Sequence, residues 1–154
     1  MPRLTKKSKY AVKALIALGR RKDSDPVLIT ELAEREKIPQ KFLELILLEL
    51  KNGGILHSKK GKGGGYFLGR SPENISLGEI IRSLDGPLAP LSCASVTAYR
   101  GCDECGDPKI CGLRAVMKEV RDATARILDG TSLAALIRLT ESLEQEGDAP
   151  TYEI

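Results

Sequence analysis

Four cysteines carry the most distinctive chemistry in this 154-residue chain: Cys93, Cys102, Cys105 and Cys111, spaced C-x8-C-x2-C-x5-C. All fall within nineteen positions, and the rest of the chain has none. Clustered thiols in a cytosolic protein point to metal or redox chemistry rather than to structural disulfides. Thiolate sulfur suits an iron–sulfur cluster, and a four-cysteine zinc site fits the count equally well. Gly101, Gly106, Gly112 and Pro108 let the loop bend round an inorganic core. Cys102 and Cys105 have the spacing of a redox pair, so a small thiol–disulfide oxidoreductase is a competing reading, but no βαβ pattern surrounds them. His57 is the sole histidine, which rules out an imidazole pair for metal binding or catalysis.

The elements that must position this loop carry a lopsided charge. The formal net charge is only +3. Residues 1–70 hold 16 Lys/Arg against 7 Asp/Glu, a net of +9, whereas residues 71–154 hold 8 against 14, a net of −6. Such asymmetry implies a basic binding half joined to an acidic half with another task. Hydrophobic residues at 42% and charged residues at 29% describe a globular chain rather than a disordered one. No apolar run approaches the roughly 18 residues of a membrane span, and the basic start leads into no signal-peptide core; the expected location is the cytoplasm. Aromatics at 4%, with no Trp, argue against a reader that stacks on single-stranded bases.

Apolar spacing predicts a helix from Thr5 to Arg20, with Tyr10, Ala11, Ala14, Leu15 and Leu18 on one face. Thr30 is expected to cap a short helix, Glu31 to Glu36. After Lys37-Ile38-Pro39 a third helix, Gln40 to Lys51, carries the stripe Leu43, Ile46, Leu47 and Leu50 and ends at Asn52-Gly53-Gly54. Residues 55–60 and 66–68 read as a hairpin around Gly61 to Gly65. The order helix, helix-turn-helix, hairpin is that of a winged helix-turn-helix. Ser76-Leu77-Gly78-Glu79 reads as a capping box opening a helix through Leu84. Residues 86–111 form a loop, Leu113 to Leu128 a long helix with Val116, Met117, Val120, Ala123 or Thr124 and Ile127 on one face, and Leu133 to Leu143 a last helix before an acidic tail.

A recognition helix reads base edges in the major groove with residues near its N-terminus. Here those are Gln40, Lys41, Phe42 and Glu44. Gln pairs with adenine, Lys with guanine, Glu with cytosine, and an aromatic edge touches a thymine methyl. Phe42 has an equally plain alternative as a core residue. Lys59, Lys60 and Lys62 on the hairpin can follow the DNA backbone or enter the minor groove, with Gly63 and Gly64 allowing close approach. The glycine run lacks the spacing of a phosphate-cradling P-loop and lies inside a hairpin.

Leu4-Thr5 with Tyr10-Ala11-Val12, Lys51-Asn52-Gly53-Gly54-Ile55, Gly61 with Gly63-Gly64-Gly65-Tyr66, Leu68 and the cysteine loop before a long helix resemble the bacterial IscR/NsrR/CymR family of winged helix-turn-helix transcription regulators. The resemblance covers roughly residues 1–140. It implies a homodimer built on the long helix, bound to a palindromic operator in double-stranded DNA. It implies that three loop cysteines hold an iron–sulfur cluster, by position Cys93, Cys105 and Cys111. Arg114 stands where some members have a histidine ligand, and Ser8 where others have an aspartate; Cys102 is the extra thiol that could complete the set. Pro39 replaces the small polar residue common at the recognition-helix start.

The expected fold is therefore mainly α with a small β-hairpin wing, a winged helix-turn-helix plus a long C-terminal dimerisation helix. Residues 1–85 would bind DNA, 86–112 form the sensor loop, 113–145 supply the dimerisation and C-terminal helices, and 146–154 form a flexible tail. The expected function is a non-enzymatic transcription regulator whose cluster senses iron, redox state or nitric oxide. The alternative is a regulator governed by zinc or by a thiol switch.

Overall fold

A computed structural model describes residues 3–147 as six helices and one two-stranded antiparallel sheet. The helices are α1 (Lys6–Gly19), α2 (Ile29–Glu36), α3 (Gln40–Asn52), α4 (Leu77–Asp85), α5 (Gly112–Asp129) and α6 (Leu133–Gly147). The hairpin is β1 (Leu56–Lys59) and β2 (Gly65–Leu68), with Leu56 opposite Leu68 and Lys59 opposite Gly65. The winged helix-turn-helix is thus present. The tail expected at 146–154 begins inside α6, and residues 148–154 lie outside the described residues.

The core forms where the apolar periodicities meet. Ala11, Ala14, Leu15 and Leu18 of α1 face Leu43, Ile46, Leu47 and Leu50 of α3, all buried. Ile55, Leu56, Ile75, Ile80, Leu84, Leu133 and Ile137 complete the same cluster. Small residues on α1 let neighbours approach closely: a Cβ on Gly19 would come within 2.5 Å of Ile137 Cδ1. The α4 and α6 starts are bound together by backbone, with Leu77 N–H donating to Thr131 O at 2.8 Å and Leu133 N–H to Ile75 O at 2.7 Å.

Two local expectations are corrected. Thr30 does not cap α2; the helix begins two residues earlier than expected, at Ile29, with Leu28 at the cap position and no side-chain hydrogen bond there. The Ser76 capping box is half made. Ser76 Oγ accepts from Glu79 N–H at 3.1 Å, but the Glu79 carboxylate pairs with Arg70 instead of turning back. The sheet also gains a third participant. Val27 pairs with Tyr66, N–H to O at 2.8 Å and O to N–H at 2.9 Å, so the α1–α2 loop is sewn to the wing. Gly65 makes this possible: its φ is +141° and a Cβ would lie 2.3 Å from Val27 O.

Two polar ties join α4 to its neighbours. Thr5 Oγ1 accepts from Ser8 N–H, capping α1, and donates to Asp85 Oδ1 at 2.6 Å. Arg82 grips Asp129 at the end of α5 through two bonds of 2.6 and 2.8 Å. Burial raises Asp85, but the hydrogen bonds from the Thr5 side chain and backbone outweigh it, so its carboxyl lies below the ordinary range. The Arg82 bond lowers Asp129 likewise. A carboxylate depressed in the folded state stabilises the fold above its unfolded pKa and loses that contribution as pH falls through the folded value. Thermal melts should therefore show stability lost progressively below about pH 4, and Asp85→Asn should flatten that acid slope while costing roughly 1 kcal/mol at neutral pH.

Candidate DNA interface and cysteine pocket

The α2–α3 unit turns on Lys37, the only non-glycine residue with positive φ (+55°) among the described residues. Its left-handed conformation ends α2 and lets Ile38 N–H reach back to Ala33 O at 3.0 Å. Ile38 is buried, and Pro39 then redirects the chain into α3. Both helices of this pair start without a side-chain cap, whereas Thr5, Ser76 and Cys111 cap α1, α4 and α5. Uncapped N–H groups and the positive end of the helix dipole suit a phosphate.

The outward face of α3 is set by its inward one. Burying 43, 46, 47 and 50 turns Lys41, Glu44, Leu45 and Leu48 to solvent, on the side away from the core. Gln40 is exposed and its amide donates to Glu44 Oε1 at 3.4 Å. Phe42 points elsewhere: it is half-buried and meets Tyr10 edge-on, with ring centroids 5.6 Å apart. Its ring packs α3 on α1, the plainer of the two roles open to it. Leu45 and Leu48 were not among the expected readers, although their spacing with Lys41 and Glu44 repeats the pattern of the buried stripe.

On the wing, Lys59, Lys60, Lys62 and Gly63 are exposed. Gly64 is buried in the hairpin turn, where its N–H donates to Gly61 O at 3.0 Å and a Cβ would lie 2.3 Å from Lys59 O. It shapes the tip rather than presenting a surface. A cavity of about 390 Å³ separates the wing from the helix pair, lined by Leu28, Ile29, Thr30, Lys51, Lys59 and Lys60. Three lysines thus meet the uncapped start of α2, an arrangement that complements the phosphate backbone. His57 is exposed on β1, edge-on to Phe67 at 5.9 Å.

The second site lies in the loop that joins α4 to α5 and against the first turn of α5. Cys93, Cys102, Cys105 and Cys111 all line one cavity of about 400 Å³, together with Leu91 and Arg114. Cys102 is exposed, and the other three are half-buried. Burial pushes the Cys105 thiol above its ordinary value, and the neighbouring Cys111, Cys102 and Cys93 add to the rise. Among the described residues no three His, Cys, Asp or Glu side chains already stand at metal-binding geometry. The donor set nevertheless fits a thiolate-bound metal group: four sulfurs open onto one cavity, on a loop whose side chains are largely solvated.

Two arginines of α5 hold the loop's upstream end. Arg114 Nε donates to Cys93 O at 2.8 Å, and an Arg121 guanidinium nitrogen donates to Ala94 O at 2.5 Å. Arg114, at the position where the resemblance would put a histidine ligand, therefore orients the backbone of Cys93 instead. Cys111 is itself the cap of α5, its Sγ accepting from Arg114 N–H at 3.4 Å. Ser8, at the position of the other familiar ligand, is buried in the α1 core with an unpaired hydroxyl.

The profile of the family described as "Rrf2: Iron-dependent Transcriptional regulator" matches residues 4–139. The chain is 42% identical over 137 residues to an rrf2-like HTH-type transcriptional regulator of Rhodobacter capsulatus, covering 87% of this chain and 91% of the relative. It is 28% identical over 151 residues to the HTH-type transcriptional regulator IscR of Escherichia coli, covering 98% and 90%. Among solved structures it is similar to CymR, the global cysteine regulator of B. subtilis, with TM-score 0.72, 28% identity and coverage of 90% and 98%. It is likewise similar to T. potens IscR, with TM-score 0.71, 25% identity and coverage of 97% and 93%. These relatives are named as transcriptional regulators, not enzymes.

The lysines on the wing should show in binding. Affinity for duplex DNA should fall steeply with salt. Lys60→Glu or Lys62→Glu should weaken it roughly tenfold at low salt, while Arg138→Glu on α6 should leave it within about twofold, as read by fluorescence anisotropy.

Proposed function

The chain belongs to the Rrf2 family of transcriptional regulators, and on that premise we propose that it binds a palindromic operator as a homodimer and holds an iron–sulfur cluster in its cysteine loop. Iron, redox state or nitric oxide would act through that cluster. The observation that carries this reading is the shared cavity: four thiols open onto one space, and one of them, Cys111, is also the cap of α5. In this reading Cys93, Cys105 and Cys111 are ligands and Cys102, the most exposed, completes the set. Residues 1–85 bind DNA, 86–112 sense, and 113–145 dimerise and support. Its place of action is the cytoplasm; the described residues contain no helix long and apolar enough to cross a membrane.

When bound, an iron–sulfur cluster supplies iron–thiolate bonds sensitive to oxidant and to iron supply. The chain's own residues relay the change. As a ligand, Cys111 would tie the cluster to the first turn of α5, which its Sγ already caps. Arg114 and Arg121 hold the Cys93 and Ala94 carbonyls against the same helix. Asp129 at the far end of α5 grips Arg82 on α4, and Asp85 on α4 grips Thr5 at the start of α1. Loss of the cluster would release the loop at its cysteines and would alter the relative pose of two recognition helices, a population shift between binding-competent and incompetent dimers.

The outer face of α5 supports the dimer. No residue of this helix is buried, although Leu113, Val116, Val120 and Ile127 are apolar; Ile127 is 64% exposed and Val120 41%. An 18-residue helix with exposed apolar residues and a supporting role in the fold calls for a partner, and a second copy of the same helix supplies a matching surface about a two-fold axis.

The same four thiols on one cavity support a second reading, in which the pocket holds zinc or works as a thiol switch. One experiment separates the three. Protein purified without oxygen should be brown, absorb in the visible and contain iron and sulfide, and Cys111→Ser should lose all of these. A colourless protein with stoichiometric zinc would establish the zinc reading, and a metal-free one the thiol switch. For the dimer, Val120→Glu should give a monomer by analytical ultracentrifugation and bind operator at least tenfold more weakly.

A further inference from the structure

The outward face of α3 carries two leucines that the fold does not use. Leu45 is 59% exposed and Leu48 47%, both on the side of the helix that faces away from the core. They sit one turn apart, flanked by Lys41 and Glu44 on the same face, with Lys51 at the end of the helix and Lys59, Lys60 and Lys62 on the adjoining wing. An apolar pair at the middle of a cationic surface is poorly suited to plain solvent. The flanking lysines select a polyanion as its occupant, and a duplex presents one apolar group in its major groove, the thymine C5-methyl.

We propose that Leu45 and Leu48 read thymine methyl groups, so that this regulator's operator half-sites carry thymines where α3 crosses the major groove. The inference rests on the DNA-binding reading above and deepens it. Glu44, held by Gln40, and Lys41 supply the polar contacts around the pair. Both leucines can be truncated without opening the core, because neither belongs to the buried cluster.

The test uses the full-length protein and a duplex selected by it from a random-sequence library. The same duplex is resynthesised with deoxyuridine for thymidine, which removes the methyls and keeps every hydrogen-bonding edge. Wild-type protein should bind the uracil duplex more weakly, by about fourfold for each methyl in contact. Leu45→Ala and Leu48→Ala should bind thymine and uracil duplexes nearly alike, with unchanged melting temperature. If wild type binds both duplexes equally, with the usual salt dependence, the methyl reading is overturned and DNA binding stands. If both alanine variants keep the full preference for thymine, the methyls are read by other residues and the inference fails. If no duplex is enriched and affinity is flat with salt, the DNA-binding reading falls and takes this one with it.

Discussion

Packing of α3 against α1 is the constraint on which the rest of the molecule depends. Leu43, Ile46, Leu47 and Leu50 are wholly buried there. Each side chain is stabilised by roughly 1.5–3 kcal/mol relative to exposure, enough to hold the helix in a single rotation about its axis. That rotation decides which side chains reach outward. Ala11 and Ala14 let the two helices close up, and the Tyr10–Phe42 ring contact pins the first turn of α3 where it leaves Pro39. Rotating α3 by even one residue would bury Lys41 or Glu44 and expose a leucine of the core, an exchange whose desolvation cost forbids it.

The same core joins the DNA-facing unit to the cysteine loop. Helix α4 lies between them, its Ile80 and Leu84 in the core with α1 and α3. Its last turn carries two polar ties of opposite destination: Asp85 to the start of α1, and Arg82 to the end of α5. Gly78 sits beside that second tie, so close that a Cβ would lie 1.9 Å from Asp129 Oδ1. Since packed helices move as units rather than deform, α4 gives the two functional regions a common rigid neighbour. Cys111 links the chemistry of the loop to this frame, being at once a pocket thiol and the cap of α5.

Most of the architecture was legible along the chain, because each element declares itself locally. The α3 stripe, the Asn52-Gly53-Gly54 exit, the glycine-rich hairpin and the Ser76 cap are short-range signals, and all stand close to where they were expected. Thr30 has a capping side chain, yet α2 starts earlier, with Leu28 O accepting from Leu32 N–H at 3.0 Å. Val27 has no alternating neighbours to mark it as a strand, and it pairs with Tyr66 only because the wing folds back beside it. Glu79 leaves its capping box because Arg70, nine positions away, lies within reach. In the last two cases a contact more distant in sequence outbids a local one.

By itself, then, the sequence determined the winged helix-turn-helix, the division of charge between its halves and the gathering of every cysteine into one loop, since periodicity, composition and spacing are properties of neighbouring residues. Only the tertiary structure decided that Phe42 is spent on Tyr10, that Gly64 is folded inside the wing, that Leu45 and Leu48 stand exposed on the outer face of α3, and that Arg114 serves a backbone carbonyl. It also decided that the four thiols face one cavity and that Cys111 caps the helix beside it. The physical reason is that burial and hydrogen bonding are settled between elements. A residue's chemistry is written in its type, but whether that chemistry is used in the core, in a cap or at the surface depends on what the fold brings against it.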